Sequence, residues 1–227
     1  EETVYYLTRD RRKRAVLCAK PIEVGPLLST ALFERSDSVI CTSATMASAG
    51  SFAYVRGELG LDERADELIA ETPFSFESQA LLVIPTSMPD PNSAAFSEAL
   101  AEHFTHILQM TGGRTLGLFT SYRNMDTVYD HLCTNGNEQR ILCQRDMPRS
   151  RLIREFTRDI DSVLLGTESF WSGIDVPGQS LSCVVIDRLP FTNPDDPVLE
   201  ALAERTPDSF RRYSLPRAII AFKQGVG

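Results

Sequence analysis

The sequence predicts an α/β fold built on a mostly parallel sheet flanked by helices. Three observations carry that prediction. Beyond residue 94, short apolar runs of strand length alternate with helical stretches of about ten residues, the order that a parallel sheet requires. Glycine, proline or small polar residues stand between the runs, where turns belong. The composition, 42% hydrophobic and 24% charged over 227 residues, is that of a globular protein with enough apolar side chains for one large or two small cores.

Taken in order, Val4–Leu7 and Ala15–Ala19 read as strands joined by a basic turn, a hairpin. Pro26–Phe33 reads as a short helix with proline in its first turn. Ser38–Thr42 is a compact β-rich run. Ser51 is placed to cap a helix reaching Leu59, with Gly60 ending it. Residues 62–78 carry many charges and give little signal. Ala80–Ile84 reads as a strand closed by Pro85, and Thr86–Ser93 as a loop. Phe96, Leu100, Phe104, Ile107 and Leu108 recur at helical spacing, so a helix is expected over Ala94–Met110, stopped by Gly112-Gly113.

The repeating unit follows. Thr115–Phe119 is a strand, and Thr120 or Ser121 caps a helix with Met125, Val128, Tyr129 and Leu132 on one face. Ile141–Gln144 is a strand, Ser150–Arg158 a helix, and Ser162–Gly166 and Leu181–Ile186 are strands. Helices close the chain over Pro197–Arg205 and from Leu215 onward. The expected division is an N-terminal extension over 1–37 and one compact domain over 38–227. The opening residues read as the start of a strand with no signal segment, as in a piece of a longer protein.

The net charge of −8 argues against coating nucleic acid by bulk charge, though not against local contact. Two basic clusters stand out: Arg9 to Arg14, and Arg145, Arg149, Arg151, Arg154 and Arg158. Each reads either as a solvated face or as a phosphate-backbone contact. The five cysteines, Cys18, Cys41, Cys133, Cys143 and Cys183, include no C-x-x-C pair, and buried free thiols in a reducing, cytoplasmic compartment are expected. No metal site and no membrane span is expected.

Neither a G-x-x-x-x-G-K-[ST] nor a G-x-G-x-x-G phosphate cradle is present, nor a G-x-S-x-G elbow. A stretch from Ser162 to Phe191, SVLLGTESFWSGIDVPGQSLSCVVIDRLPF, instead places glycines and an aspartate between two apolar runs. In a parallel sheet such a connection lies at the carboxyl ends of the strands, where ligands bind. Phe170 and Trp171 in it either stack on a base or pack beneath the loop, and packing is favoured.

Five separated stretches resemble the C-terminal motor half of DinG/XPD-type superfamily 2 DNA helicases. They are Thr42-Ser43-Ala44-Thr45-Met46 (motif III), Leu116 to Tyr122 (motif IV), Val163 to Phe191 (motif V), Leu215 to Ala218, and Phe222 to Gly227, the opening of motif VI. The resemblance implies a RecA-like three-layer domain, the second of two that sandwich ATP and Mg²⁺ while single-stranded DNA crosses them. The other, N-terminal RecA-like domain would supply the P-loop lysine, the acidic Mg²⁺ ligands and, in many relatives, an iron–sulfur cluster.

Site roles implied by the resemblance follow. Gly173, Asp175, Gln224 and Gly227 belong to the nucleotide side of the interdomain cleft. Thr120, Ser121, Arg123 and Thr167 contact DNA phosphates, and Ser43 and Thr45 couple nucleotide state to DNA grip. The bare residues also allow simpler roles: helix capping for Thr120 and Ser121, an Asx turn for Asp175, and a strand-end cap for Ser43 and Thr45. Relatives carry Glu where Ser172 stands, which questions motif V's coupling role. The motif VI arginines expected after Gly227 lie outside the sequence, so this chain alone is expected to lack ATP turnover. The alternative is a non-catalytic nucleic-acid-binding or interaction module that retains the fold.

Overall fold

The computed structural model describes residues 2–10, 12–61 and 65–226. They divide into two compact units, Glu1–Pro73 with Phe191–Ile220, and Phe74–Pro190 with Ala221–Gly227.

The first unit opens with the expected hairpin. Strands β1 (Thr3–Arg9) and β2 (Ala15–Pro21) pair antiparallel, with Tyr6 opposite Cys18. Asp10 fixes the turn by accepting from the backbone N–H of Arg12 and Arg14 and pairing with the Arg14 guanidinium. Helix α1 (Gly25–Ala31) has proline in its first turn, and α2 (Ala53–Leu59) ends at Gly60. Helix α7 (Pro197–Arg205) starts where the Asp196 carboxylate accepts from Val198 N–H and Leu199 N–H. A π-helical turn, Phe210–Ser214, leads into α8 (Leu215–Val226), whose residues from Ala221 count with the second unit. Arg217 donates to the Tyr54 hydroxyl at 2.8 Å and pairs with Glu58 at 3.0 Å. Burial pushes the Tyr54 hydroxyl up to about 12.

The second unit holds the parallel sheet. A short helix α3 (Phe76–Gln79) precedes α4 (Ala95–Thr111), strand β3 (Thr115–Leu118) and helix α5 (Tyr122–Thr134). Strand β4 (Ile141–Cys143), helix α6 (Arg149–Arg158), and strands β5 (Val163–Gly166) and β6 (Cys183–Ile186) complete it. The sheet order is β4-β5-β3-β6, all parallel, with Leu116 level with Leu164 and Val184.

Alternation along the strands feeds two cores. Cys143, Val163 and Leu165 pack with Phe96, Phe104 and Leu108 of α4 and Met125, Val128 and Leu132 of α5. Leu116, Leu118, Leu142 and Leu164 face the other way, onto Leu152 and Phe156 of α6 with Phe170 and Trp171. Successive strand side chains point to opposite faces, so one sheet serves both helical layers. This is the three-layer α/β arrangement expected. The turn from α4 into β3 requires glycine at 113: φ is +89°, and a Cβ there would lie 1.9 Å from the Asp161 carbonyl oxygen.

Neither the β-rich run Ser38–Thr42 nor the strand expected over Ala80–Ile84 forms a strand. Ser38–Thr42 is irregular with Ile40 85% exposed, and Leu81–Ile84 is extended in sequence character but unpaired, each side chain at least 70% exposed. A β-branched run makes a strand only when a neighbour completes its ladder, and none of the described residues does so here. The cysteines also differ from expectation. All five are free, but only Cys143 is buried, while Cys41 and Cys133 are exposed.

Candidate nucleic-acid interface

In a parallel sheet every strand ends on the same edge, so the first residue after each strand is brought into one row. Across β4-β5-β3-β6, allowing one further ladder residue after β3, that row is Gln144, Thr167, Thr120 and Asp187. The ladder extends into it. Gln144 N–H donates to Leu165, Phe119 N–H to Gly166 and Asp187 N–H to Leu118.

Side chains then tie the row together in pairs. The Gln144 Oε1 accepts from Thr167 N–H at 2.6 Å and from the Thr167 hydroxyl at 3.0 Å, while its Nε2 donates to the Tyr122 hydroxyl at 3.3 Å. The Asp187 carboxylate accepts from Thr120 N–H at 2.8 Å, the Thr120 hydroxyl at 3.3 Å and Asn124 Nδ2 at 2.8 Å. Asn124 in turn accepts from the Ser97 hydroxyl at 2.8 Å. Burial raises the Asp187 carboxyl above the ordinary aspartate value, against the lowering effect of the Asn124 and Thr120 bonds.

Ser121 is the N-cap of α5, with extended backbone and its Oγ accepting from Asn124 N–H at 3.2 Å. Its own hydroxyl proton remains available. Tyr122 and Arg123 occupy the first helical positions and are exposed. Uncapped N–H groups and a positive dipole end make such a turn suited to phosphate. Ser121 therefore caps this turn, whereas Thr120 does not cap it but donates to Asp187. Thr167 is 4% exposed and lies behind the edge.

The segment after Thr167 makes a 3₁₀ turn, Glu168–Phe170. Phe170 and Trp171 are 1% and 6% exposed, and the Trp171 indole donates to the Phe119 carbonyl, so both pack beneath the loop as favoured. Arg149 closes the loop: Nε donates to the Ser169 carbonyl, and Nη2 to those of Ser172 and Gly173. Gly173 sits at φ +64°, a left-handed turn, with Asp175 exposed just beyond it. The last turn of α8 approaches the same segment. A Cβ on Gly225 would lie 2.9 Å from both Leu118 and the Trp171 ring. Gln224 beside it is exposed, and Gly227 lies outside the described residues.

Ser43 and Thr45 lie in the first unit, where Ser43 Oγ accepts from Thr45 N–H at 3.2 Å. The structure thus brings Thr120, Ser121, Arg123 and Thr167 to one edge, with Gly173 and Asp175 on the loop that follows Thr167. The second basic cluster is divided. Arg145 is held by Asp126 and Asp130 over the Tyr129 ring, Arg149 is committed to the loop, and Arg151, Arg154 and Arg158 are exposed.

Three residues of consequence were not singled out from the sequence as site residues: Gln144, Asp187 and Arg149. The available signal was position, since Gln144 and Asp187 are the first polar residues after apolar runs. Among the described residues no group of three or more His, Cys, Asp or Glu is placed to hold a metal, and no helix is long and apolar enough to cross a membrane.

The helicase C-terminal domain family matches residues 104–227. The chain is 35% identical over 211 residues to the "ATP-dependent DNA helicase YoaA" of Haemophilus influenzae, covering 91% of this chain and 33% of that protein. It is 37% identical over 222 residues to the "ATP-dependent helicase DinG" of Mycobacterium tuberculosis, covering 94% and 33%. It is 34% identical over 228 residues to a Bacillus subtilis protein named "3'-5' exonuclease DinG", covering 95% and 24%. The chain therefore spans about a third or less of the length of these relatives.

Proposed function

The chain belongs to the helicase C-terminal domain family, and we propose that it is the second motor domain of a DinG-type ATP-dependent DNA helicase acting in DNA repair or replication. The observation that carries this reading is the row Gln144, Thr167, Thr120 and Asp187 at the carboxyl edge, with the first turn of α5 opening beside it. Single-stranded DNA lies along that edge. Ser121 and Arg123 meet its phosphates, and Thr120 and Thr167 fix the backbone behind them. Such contacts hold a strand without reading its sequence, as a translocating motor requires.

Gly173, Asp175 and Gln224 face the nucleotide held by an N-terminal RecA-like domain, which supplies the P-loop and the Mg²⁺ ligands. An iron–sulfur cluster, where the whole protein has one, belongs to that other half. Exposed Asp175 accepts from ribose or orients an arginine, and Ser43 and Thr45 transmit the nucleotide state. ATP binding closes the two domains and hydrolysis reopens them. Arginines acting on the transferred phosphoryl group contribute on the order of 10³–10⁵ in rate in related systems.

The test is ATP turnover by the 227-residue chain and by the whole protein, each with and without single-stranded DNA. The expected result is background turnover from the chain and DNA-stimulated turnover from the whole protein. Turnover above background from the chain alone contradicts the assignment.

A further inference from the structure

Asp187 grips the first turn of α5 at both ends. Its carboxylate holds Thr120, the residue before the N-cap, and Asn124, the third helical residue. Between those two grips stand Ser121, Tyr122 and Arg123, none of which bonds to Asp187, and Tyr122 and Arg123 are exposed. The grip reaches α4 as well, because Asn124 is fixed by the buried Ser97 hydroxyl. An ionised carboxylate only accepts hydrogen bonds, and each of these partners is a neutral donor, so the arrangement has one orientation. Among the described residues no cation neutralises Asp187.

A carboxylate is an unexpected group to keep behind a phosphate-binding turn. Its charge repels the ligand, and its burial is costly. Its directional hold on three donors is what it offers in return. We propose that Asp187 is a positioning residue for the nucleic-acid contact, fixing the first turn of α5 from behind so that Ser121 and Arg123 present their donors to a strand phosphate. This rests on the reading of the carboxyl edge as a strand-binding surface. The two effects predict opposite outcomes. Repulsion alone makes removal of the charge tighten binding, whereas positioning makes it weaken binding.

The experiment uses the full chain with a short fluorescein-labelled oligothymidine, read by fluorescence anisotropy well below the melting transition of every variant. Asp187→Asn sets an amide donor against Asn124 and is expected to weaken binding about 5- to 20-fold, and to lower the slope of log affinity against log salt by about one. The double variant Asn124→Asp with Asp187→Asn exchanges the two groups. The amide now at 187, just after β6, accepts from Thr120 N–H and donates to the carboxylate now on α5, which still accepts from Ser97. This variant is expected to recover affinity to within about 3-fold of wild type.

Unchanged or tighter binding by Asp187→Asn overturns the proposal while leaving the surface assignment intact. Weakening with an unchanged salt slope and no recovery in the double variant also overturns it, because general loosening of the fold explains that pattern. Absence of binding by the wild-type chain overturns the surface assignment and this inference together.

Discussion

Arg149 and Gly173 are joined across the mouth of the motif V loop by a 2.7 Å hydrogen bond from the guanidinium Nη2 to the glycine carbonyl. The same nitrogen reaches Ser172 at 2.8 Å and Nε reaches Ser169 at 2.9 Å, so one side chain satisfies three carbonyls of a turn that has no ladder of its own. The planar fork makes this possible, and a lysine ammonium has no equivalent geometry. Arg149→Ala is expected to lower stability by about 1–3 kcal/mol and to raise amide exchange most over residues 168–176, with Arg149→Lys restoring only part. Hydrogen exchange coupled to mass spectrometry checks this, and uniform exchange across the unit contradicts it.

Gln144 holds the entry to that loop. Gln144→Ala leaves the buried Thr167 N–H and hydroxyl without their acceptor and is expected to cost about 1–3 kcal/mol in urea unfolding. Gln144→Glu retains the acceptor and is expected to cost less. Equal losses in the two variants contradict the assignment of the stabilisation to the hold on Thr167.

Asp187 gives a pH dependence with a definite sign. Its folded pKa is raised by burial above the ordinary 3.8, so its contribution to stability is fully present below that value and is lost as pH rises through the folded pKa. Asp187→Asn removes this dependence. Whatever the variant loses in hydrogen bonds, its stability relative to wild type is expected to improve as pH rises from about 4 toward neutrality. Urea midpoints across that range test it, and a difference that moves the other way contradicts the raised value.

Close approach, not left-handed backbone alone, makes Gly113 irreplaceable. Gly136 has φ +67° but open space around its Cβ position, whereas a Cβ at Gly113 collides with the Asp161 carbonyl. Gly136→Ala is expected to cost about 1–2 kcal/mol and Gly113→Ala more than about 3 kcal/mol, measured by thermal unfolding. Equal costs contradict the packing account.

The alternation of strands and helices was legible because apolar period and turn residues agree over residues 94–186. Ser121 and Gly112 were legible as helix ends because capping is local chemistry. Ser38–Thr42 and Leu81–Ile84 were misread because their apolar runs satisfy strand propensity without supplying a partner strand. Thr120 and Thr167 were singled out by position in motifs, but their acceptors Asp187 and Gln144 lie 67 and 23 residues away. Only strand order brings such pairs together. Arg149 looked like a free basic residue for the same reason: loop carbonyls have no sequence signature.

The central claim, that a nucleic-acid strand lies along the carboxyl edge of the parallel sheet, is tested most directly by hydrogen exchange of this chain with and without single-stranded DNA. The account predicts slowed exchange concentrated at residues 120–124 and 167–173. Protection confined to other segments, with those two unchanged under saturating DNA, contradicts it.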